Sequence, residues 1–252
     1  MEKRLIDLAI VIPTLNEEKY IGGLLESIAR QSIQPQEIAV VDAFSKDRTE
    51  DEVKKWQKKL PQLKFYQIPK DTISRQRNLG AKKTKSSEIL FLDADTALID
   101  DDTLEKYIEE VEKKGATLAV ACNYPLSKHW KDKAYFEAAN LTTRVGKFVW
   151  PMAVGINLYC KRDVFEKLGG FDEKIKVGED IEMVQRFAKK GVRYEVLEEP
   201  KIHTSVRRLR KEGRIRFVLM MINSFINHNI HGFHKNPIAK KYEFGNHPPV
   251  ES

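Results

Sequence analysis

The chain has 252 residues, 41% hydrophobic and 32% charged, and its 44 Lys and Arg against 37 Asp and Glu give a net charge of +7. That length suits one large α/β domain, alone or with a short appendage, and the apolar fraction excludes global disorder. The two cysteines, Cys122 and Cys160, form no CxxC pair, which argues against a disulfide framework or a zinc knuckle, while a modest positive excess favours anionic partners such as phosphates, membrane surfaces or nucleic acid without choosing among them.

Residues 1–7 are charged and hold no apolar signal-peptide core, so the expectation is a cytoplasmic protein able to touch a membrane from that side. Leu8 to Ile12 is an apolar run stopped by Pro13, the pattern of a parallel strand buried on both faces. A helix is predicted from about Glu17 to Gln31, with Ile21, Leu24, Leu25 and Ile28 on one side. Ile38 to Val41 is a second buried strand ending at Asp42, followed by a helix from Asp47 to about Lys59. A strand from Leu63 to Ile68, a helix from Ser74 to about Lys83 and a strand from Ile89 to Leu92 come next, the last ending at Asp93. Asp101 is expected to cap a helix from Thr103 to Lys113, and Ala116 to Ala121 reads as another strand.

The second half is less regular. Helices are predicted over Trp130 to Val145, Arg162 to Leu168 and Asp180 to Lys190, and strands over Ile156 to Cys160 and Val192 to Leu197. From Val206 the chain is basic, then apolar, and is expected to be helical to about Asn227, with a polar tail from His228 to Ser252. The longest apolar stretch there, Phe217 to Ile222, is far too short to span a bilayer. Repeated β-α-β units imply a doubly wound, mostly parallel sheet with the ligand crevice outside the carboxyl ends of its strands.

Asn16, Glu17, Asp42, Asp93 and Asp95 all fall just after apolar strands, so they can converge although scattered in sequence. Asp93-Ala94-Asp95 sends two carboxylates off one strand end. Hard divalent cations prefer oxygen ligands, and Mg²⁺ is commonly held by one or two carboxylates plus substrate phosphates. Asp42, on a sibling strand, can accept hydrogen bonds from a nucleobase N–H or a ribose hydroxyl. Asp47 reads instead as a helix N-cap, with Glu50 completing a capping box.

Val11-Ile-Pro-Thr-Leu-Asn-Glu-Glu18 resembles the first motif of family 2 glycosyltransferases, which have the GT-A fold. Val40 to Thr49 resembles the second motif, departing from it at Ala43 and Phe44. Ser74-Arg-Gln-Arg-Asn-Leu-Gly80, Asp93-Ala-Asp95 and Gly169-Gly-Phe-Asp-Glu173 with Gly178-Glu-Asp180 are similar to the three that follow, in the same order. The resemblance implies a GT-A, Rossmann-like, mostly parallel α/β sheet with a C-terminal helical extension. Residues 1–115 would form the donor half, residues 116–205 the acceptor half of the same domain, and 206–252 a basic and apolar helix with a polar tail. Pro13, Leu15, Glu17 and Asp42 would line the nucleoside pocket, Arg77 would contact base or diphosphate, and Asp93 would contact ribose or metal. Asp95 would hold Mg²⁺ or Mn²⁺, His203 is a candidate to complete the metal shell, and Asp180 would be the general base of an inverting transfer from a UDP- or GDP-linked sugar.

Three other features stand outside those motifs. The basic stretch Val206 to Arg216 reads as a solvated helix face, as a source of Arg207 or Arg208 for the diphosphate, or as a surface for an anionic membrane carrying a lipid-linked acceptor. His228, His231 and His234 read as polar surface. Phe148 to Val154 is expected to line the acceptor pocket or to join the core. A nucleotidyltransferase would carry a Gly-rich loop where this chain has Pro13 to Glu17. A non-catalytic module would not need Asp93, Asp95 and Asp180, and acidic strand ends would repel nucleic acid.

Overall fold

A computed structural model describes residues 3–148, 150–152 and 157–235. One eight-stranded sheet organises them. β1 (Arg4–Thr14) is flanked by β2 (Ile33–Asp42) and β4 (Glu88–Leu92), with β3 (Leu63–Gln67) beyond β2 at one edge, and these four run parallel. Leu8 to Ile12, Val40, Val41 and Ile89 to Leu92 are buried throughout, as continuous apolar runs in a two-sided sheet require. The helices α1 (Ile21–Arg30), α2 (Thr49–Gln57), α3 (Ile73–Lys83) and α4 (Thr103–Lys114) supply the crossovers.

β7 (Asn157–Lys161) then joins β4 antiparallel, and β6 (Leu118–Pro125) joins β7 antiparallel. β8 (Tyr194–Thr204) lies parallel to β6, and the short β5 (Thr96–Leu98) closes the far edge against β8. The mostly parallel α/β sheet expected from the sequence is therefore present, with an antiparallel insertion in its second half. The strand predicted to stop at Leu197 runs on to Thr204. It passes Pro200 at an irregularity where Leu197 and Ile202 pair with Ala121 and Asn123, the kind of place that tolerates a proline.

Around the insertion lie α5 (Trp130–Gly146), α6 (Arg162–Lys167) and α7 (Glu179–Lys189). The single C-terminal helix expected from Val206 is two, α8 (Arg207–Glu212) and α9 (Arg214–His231), broken at Gly213 with φ of 78°. Asp101 does not cap α4: the residue before the helix is Asp102, and it makes no side-chain capping bond. Both cysteines are buried and free.

α3 crosses β1 at a glycine. A Cβ on Gly80 would lie 2.2 Å from Cγ1 of Val11, far inside van der Waals contact, so only glycine permits the observed approach. That contact sets α3 deep against the sheet and carries Arg77, one turn earlier, to the carboxyl end of β4.

Candidate active site

The loops after β1 and β2 are laced together. Thr14 Oγ1 donates to Asp42 Oδ1 at 3.1 Å, and the Ser45 amide donates to Asp42 Oδ2 at 2.8 Å. The Asn16 amide donates to Ser45 Oγ and the Glu17 amide to Thr49 Oγ1, both at 2.8 Å. Gln76 on α3 fastens the two strand ends by donating to the carbonyls of Thr14 and Val41. Two non-glycine residues, Asn16 and Phe44, take positive φ of 58° and 52° here. For a bulky side chain such as Phe44 that backbone is strained, and the ring is left exposed.

Asp42 is thus fully buried and already occupied by protein donors. The structure gives it the job of shaping the loop pair. Pro13 and Leu15 are buried too, Pro13 opposite Val41 in the sheet. Asp47 is not the N-cap of α2, which is Arg48 and makes no side-chain capping bond; Asp47 accepts from the Glu18 amide and from the Thr49 amide and hydroxyl, tying the loop after β2 to the loop after β1, and Glu50 closes no capping box but pairs with Lys54.

Asp93-Ala94-Asp95 is a tight turn between β4 and β5. The Thr96 amide and hydroxyl both donate to the Asp93 carbonyl, Ala94 sinks into the core, and the Asp95 carbonyl accepts from the Ser205 amide after β8. The triplet is therefore held by its own turn and by the residue that follows β8. Desolvation pushes the Asp95 carboxyl up to about 7, helped by the neighbouring carboxylates of Asp93 and Glu17 and opposed by Arg207. Burial also raises Glu17.

Two arginines neutralise this acid cluster. Arg77, 2% exposed, donates at 2.8 Å to Asp93 Oδ1 and at 2.8 Å to Glu179 Oε1, with its guanidinium facing the Phe171 ring. Burial opposes its charge, but the carboxylates of Asp93, Glu179 and Asp180 outweigh burial and hold the guanidinium protonated. Arg207, at the start of α8, grips Glu17 with a two-pronged fork at 2.6 and 2.7 Å, and its Nε lies 3.2 Å from Asp95 Oδ2. Its flat face rests 4.4 Å above the Tyr20 ring.

Asp180 sits in the first turn of α7, half-buried, with Oδ1 accepting from the Ile181 amide. It adjoins Glu179, so the chain of contacts Asp93–Arg77–Glu179 runs from the triplet to the first turn that carries Asp180. The residue before α7 is Gly178, with φ of 80°, against which His228 of α9 packs so closely that a Cβ would meet its imidazole at 2.5 Å.

Of the residues expected at the site, Glu17, Arg77, Asp93, Asp95 and Asp180 are brought together. His203 is not joined to them. It lies within β8, with its ring against Tyr124 and its Nδ1 buried without a hydrogen-bond partner, and neither aspartate contacts it. His228 is buried rather than on a polar surface, and stacks on Phe233. Of Phe148 to Val154, Phe148 is exposed rather than core, whereas Val149 and 153–156 lie outside the described residues, as do the tail from 236 and the start of the predicted strand at Ile156. Glu179 and Gln76, which carry much of the geometry, lie inside the segments that resemble the family motifs, but no role is read for them from the sequence.

Among the described residues no three His, Cys, Asp or Glu form a cage for a metal ion. What the site offers is a pair of hard carboxylates, Asp93 half-buried and Asp95 desolvated, each paired with an arginine. That set fits a divalent cation which keeps phosphate oxygens as its remaining ligands.

A family model described as glycosyl transferase family 2 matches residues 9–169. The minor teichoic acid biosynthesis protein GgaB of Bacillus subtilis is 24% identical over 94% of this chain, which spans 27% of that protein's length. A mannosyltransferase from Pyrobaculum calidifontis, solved with GDP-Man and Mn²⁺, superposes with a TM-score of 0.71 at 22% identity over 93% of this chain and 67% of its own. TarS 1-349 of S. aureus, solved with UDP-GlcNAc, gives 0.65 at 22% identity over 79% of this chain and 58% of that one. These likenesses show the GT-A fold expected from the motifs.

Proposed function

The chain belongs to glycosyl transferase family 2, and from that premise we propose that it moves a sugar from a UDP- or GDP-linked donor to an acceptor hydroxyl with inversion. The observation that carries this reading is the contact chain Asp93–Arg77–Glu179, which ties the carboxylates of a donor site to the helix turn presenting Asp180. In this reading residues 1–115 bind the donor, 116–205 receive the acceptor and 206–252 form an extension.

Asp180 takes the proton from the acceptor hydroxyl. The freed oxygen attacks the anomeric carbon from the face opposite the diphosphate, the bond from that carbon to the diphosphate oxygen breaks, and the diphosphate leaves with the electron pair. Asp95 and Asp93 would hold Mg²⁺ or Mn²⁺, which when bound would supply positive charge beside the departing diphosphate. Arg77 does not touch substrate. It positions Asp93 relative to Asp180 and keeps their mutual repulsion in check. Arg207 occupies Glu17 and Asp95 in the structure described above, and turns to the diphosphate when a donor arrives, since a guanidinium fork matches phosphate oxygens. Solved relatives in fold that hold UDP-GlcNAc, or GDP-Man with Mn²⁺, support this donor class. The acceptor is a glycan or a lipid-linked hydroxyl met on the cytoplasmic side.

The test is calorimetry and diphosphate release with a panel of UDP- and GDP-sugars, each with and without Mn²⁺. One donor is expected to bind only with metal and to raise thermal stability by mass action. Absence of binding across the whole panel would overturn the reading.

A further inference from the structure

Helix α9 carries an apolar stripe on the side away from the body of the protein. Ile215, Leu219, Ile222, Ile226 and Ile230 recur at spacings of four, three, four and four, and all are exposed, Ile215 by 78%. The opposite side is the one that packs, through Phe217, Ser224 and His228. Helix α5 repeats the arrangement. Its inward side is set by Asp132, Phe136, Asn140 and Thr143, while Trp130, Leu141 and Val145, with Phe148 just past its end at 81%, face outward. Branched aliphatic residues in this register on an exposed side would be selected against in a chain that met only water.

The two helices belong to one structural unit. Arg214 Nε on α9 lies 2.7 Å from Asp132 Oδ1 on α5, and the rings of Tyr135 and Phe217 meet edge to face. Phe136 of α5, with Val206 and Leu209 of the α8 segment, forms a small core of its own beneath them.

Charge is concentrated in the same place. Residues 206–235 contain seven Lys and Arg against the single acid Glu212, and of the seven Arg207 is committed to Glu17 and Asp95 and Arg214 to Asp132. Lys128, Lys131 and Lys133 add exposed cations around the start of α5. A second copy of the chain docking through this face would oppose like charges, which is costly. An anionic lipid surface accepts both the apolar stripes and the cations. Trp130 supplies the amphipathic ring that favours the headgroup level. No helix of the described residues is long and apolar enough to cross a bilayer, so the helices would lie on it.

We propose that α5 and α9 form a docking surface for an anionic phospholipid bilayer. The proposal stands apart from the sugar-transfer reading, and its test needs neither donor nor metal. The full chain is cosedimented with vesicles of phosphatidylglycerol and phosphatidylcholine in equal parts, and with vesicles of phosphatidylcholine alone. It is expected to partition onto the anionic vesicles only. The paired substitutions Leu219→Asp with Ile226→Asp on α9, and separately Leu141→Asp with Val145→Asp on α5, should each weaken that partition at least about tenfold. Because these side chains are exposed, the thermal midpoint should not fall. Failure of the unaltered chain to bind anionic vesicles would sink the proposal. So would equal binding to both vesicle types, or a dimer in solution that the same substitutions dissolve.

Discussion

Arg77 and Arg207 do the same electrostatic work from opposite kinds of scaffold. Each places one guanidinium between two carboxylates, Asp93 and Glu179 in the first case, Glu17 and Asp95 in the second. Arg77 rises from a helix pressed onto β1 and is sealed beneath Phe171. Arg207 sits on a six-residue helix broken from α9 by Gly213, and part of what fastens that helix to the body is the arginine's own ion pairs. The difference separates a charge the fold needs from a charge the site borrows. Arg77 cannot leave without stranding acids, whereas Arg207 can exchange Glu17 and Asp95 for a diphosphate.

The comparison breaks most visibly if Arg77 proves dispensable. Arg77→Met should cost about 3–5 kcal/mol, because it strands the buried Glu179 carboxylate and the half-buried Asp93 carboxylate. A denaturant midpoint within experimental error of the parent would refute its role in holding the fold. Next in size, Asp180→Asn should lower turnover by about 10²–10⁴-fold with donor binding intact. Lost donor binding would show that the Arg77 chain transmits damage to the donor acids and that the base lies elsewhere. Arg207→Ala should cost only about 1–2 kcal/mol of stability, since burial raises both Glu17 and Asp95 and so eases uptake of a proton when the guanidinium is removed. Its larger signature is weaker donor binding with undiminished binding of metal alone, and the reverse pattern would make Arg207 a structural residue like Arg77. Smallest of all, Glu17→Gln should change the melting temperature by a few degrees at most, about 1 kcal/mol or less, because an amide still accepts from Arg207.

How far these roles were legible in the sequence follows the same divide. The parallel strands were plain because Leu8 to Ile12 and Ile89 to Leu92 are unbroken apolar runs, and the acids at their ends could be placed at the crevice from that alone. β5 went unseen because three residues are too few to show a period. The continuation of β8 was hidden by Glu198, Glu199 and Pro200, which read as a loop. Arg77 was visible as a motif residue but read as a ligand contact. Its partners lie 16 and 102 positions away, and nothing in a linear pattern reports that a guanidinium is buried. The placing of His203 was hidden for a related reason: its ring packs on Tyr124, a neighbour created by strand register and not by sequence distance. Arg207 was one of two arginines offered for the diphosphate, and only the fork to Glu17 distinguishes it from Arg208.

Gly80 bears on how this protein can vary. The whole arrangement of Arg77 depends on a methyl group that is not there, because α3 rests on Val11 at a distance no side chain allows. A randomised library at that position, selected for folded protein, should return glycine alone, unless Val11 shrinks at the same time. Alanine at 80 with alanine at 11 would be the first pair to reappear. The two positions would then drift together through a lineage as a single coupled character, and a change at either one, remote from any substrate, would be read out as misplacement of the guanidinium by a few tenths of an ångström.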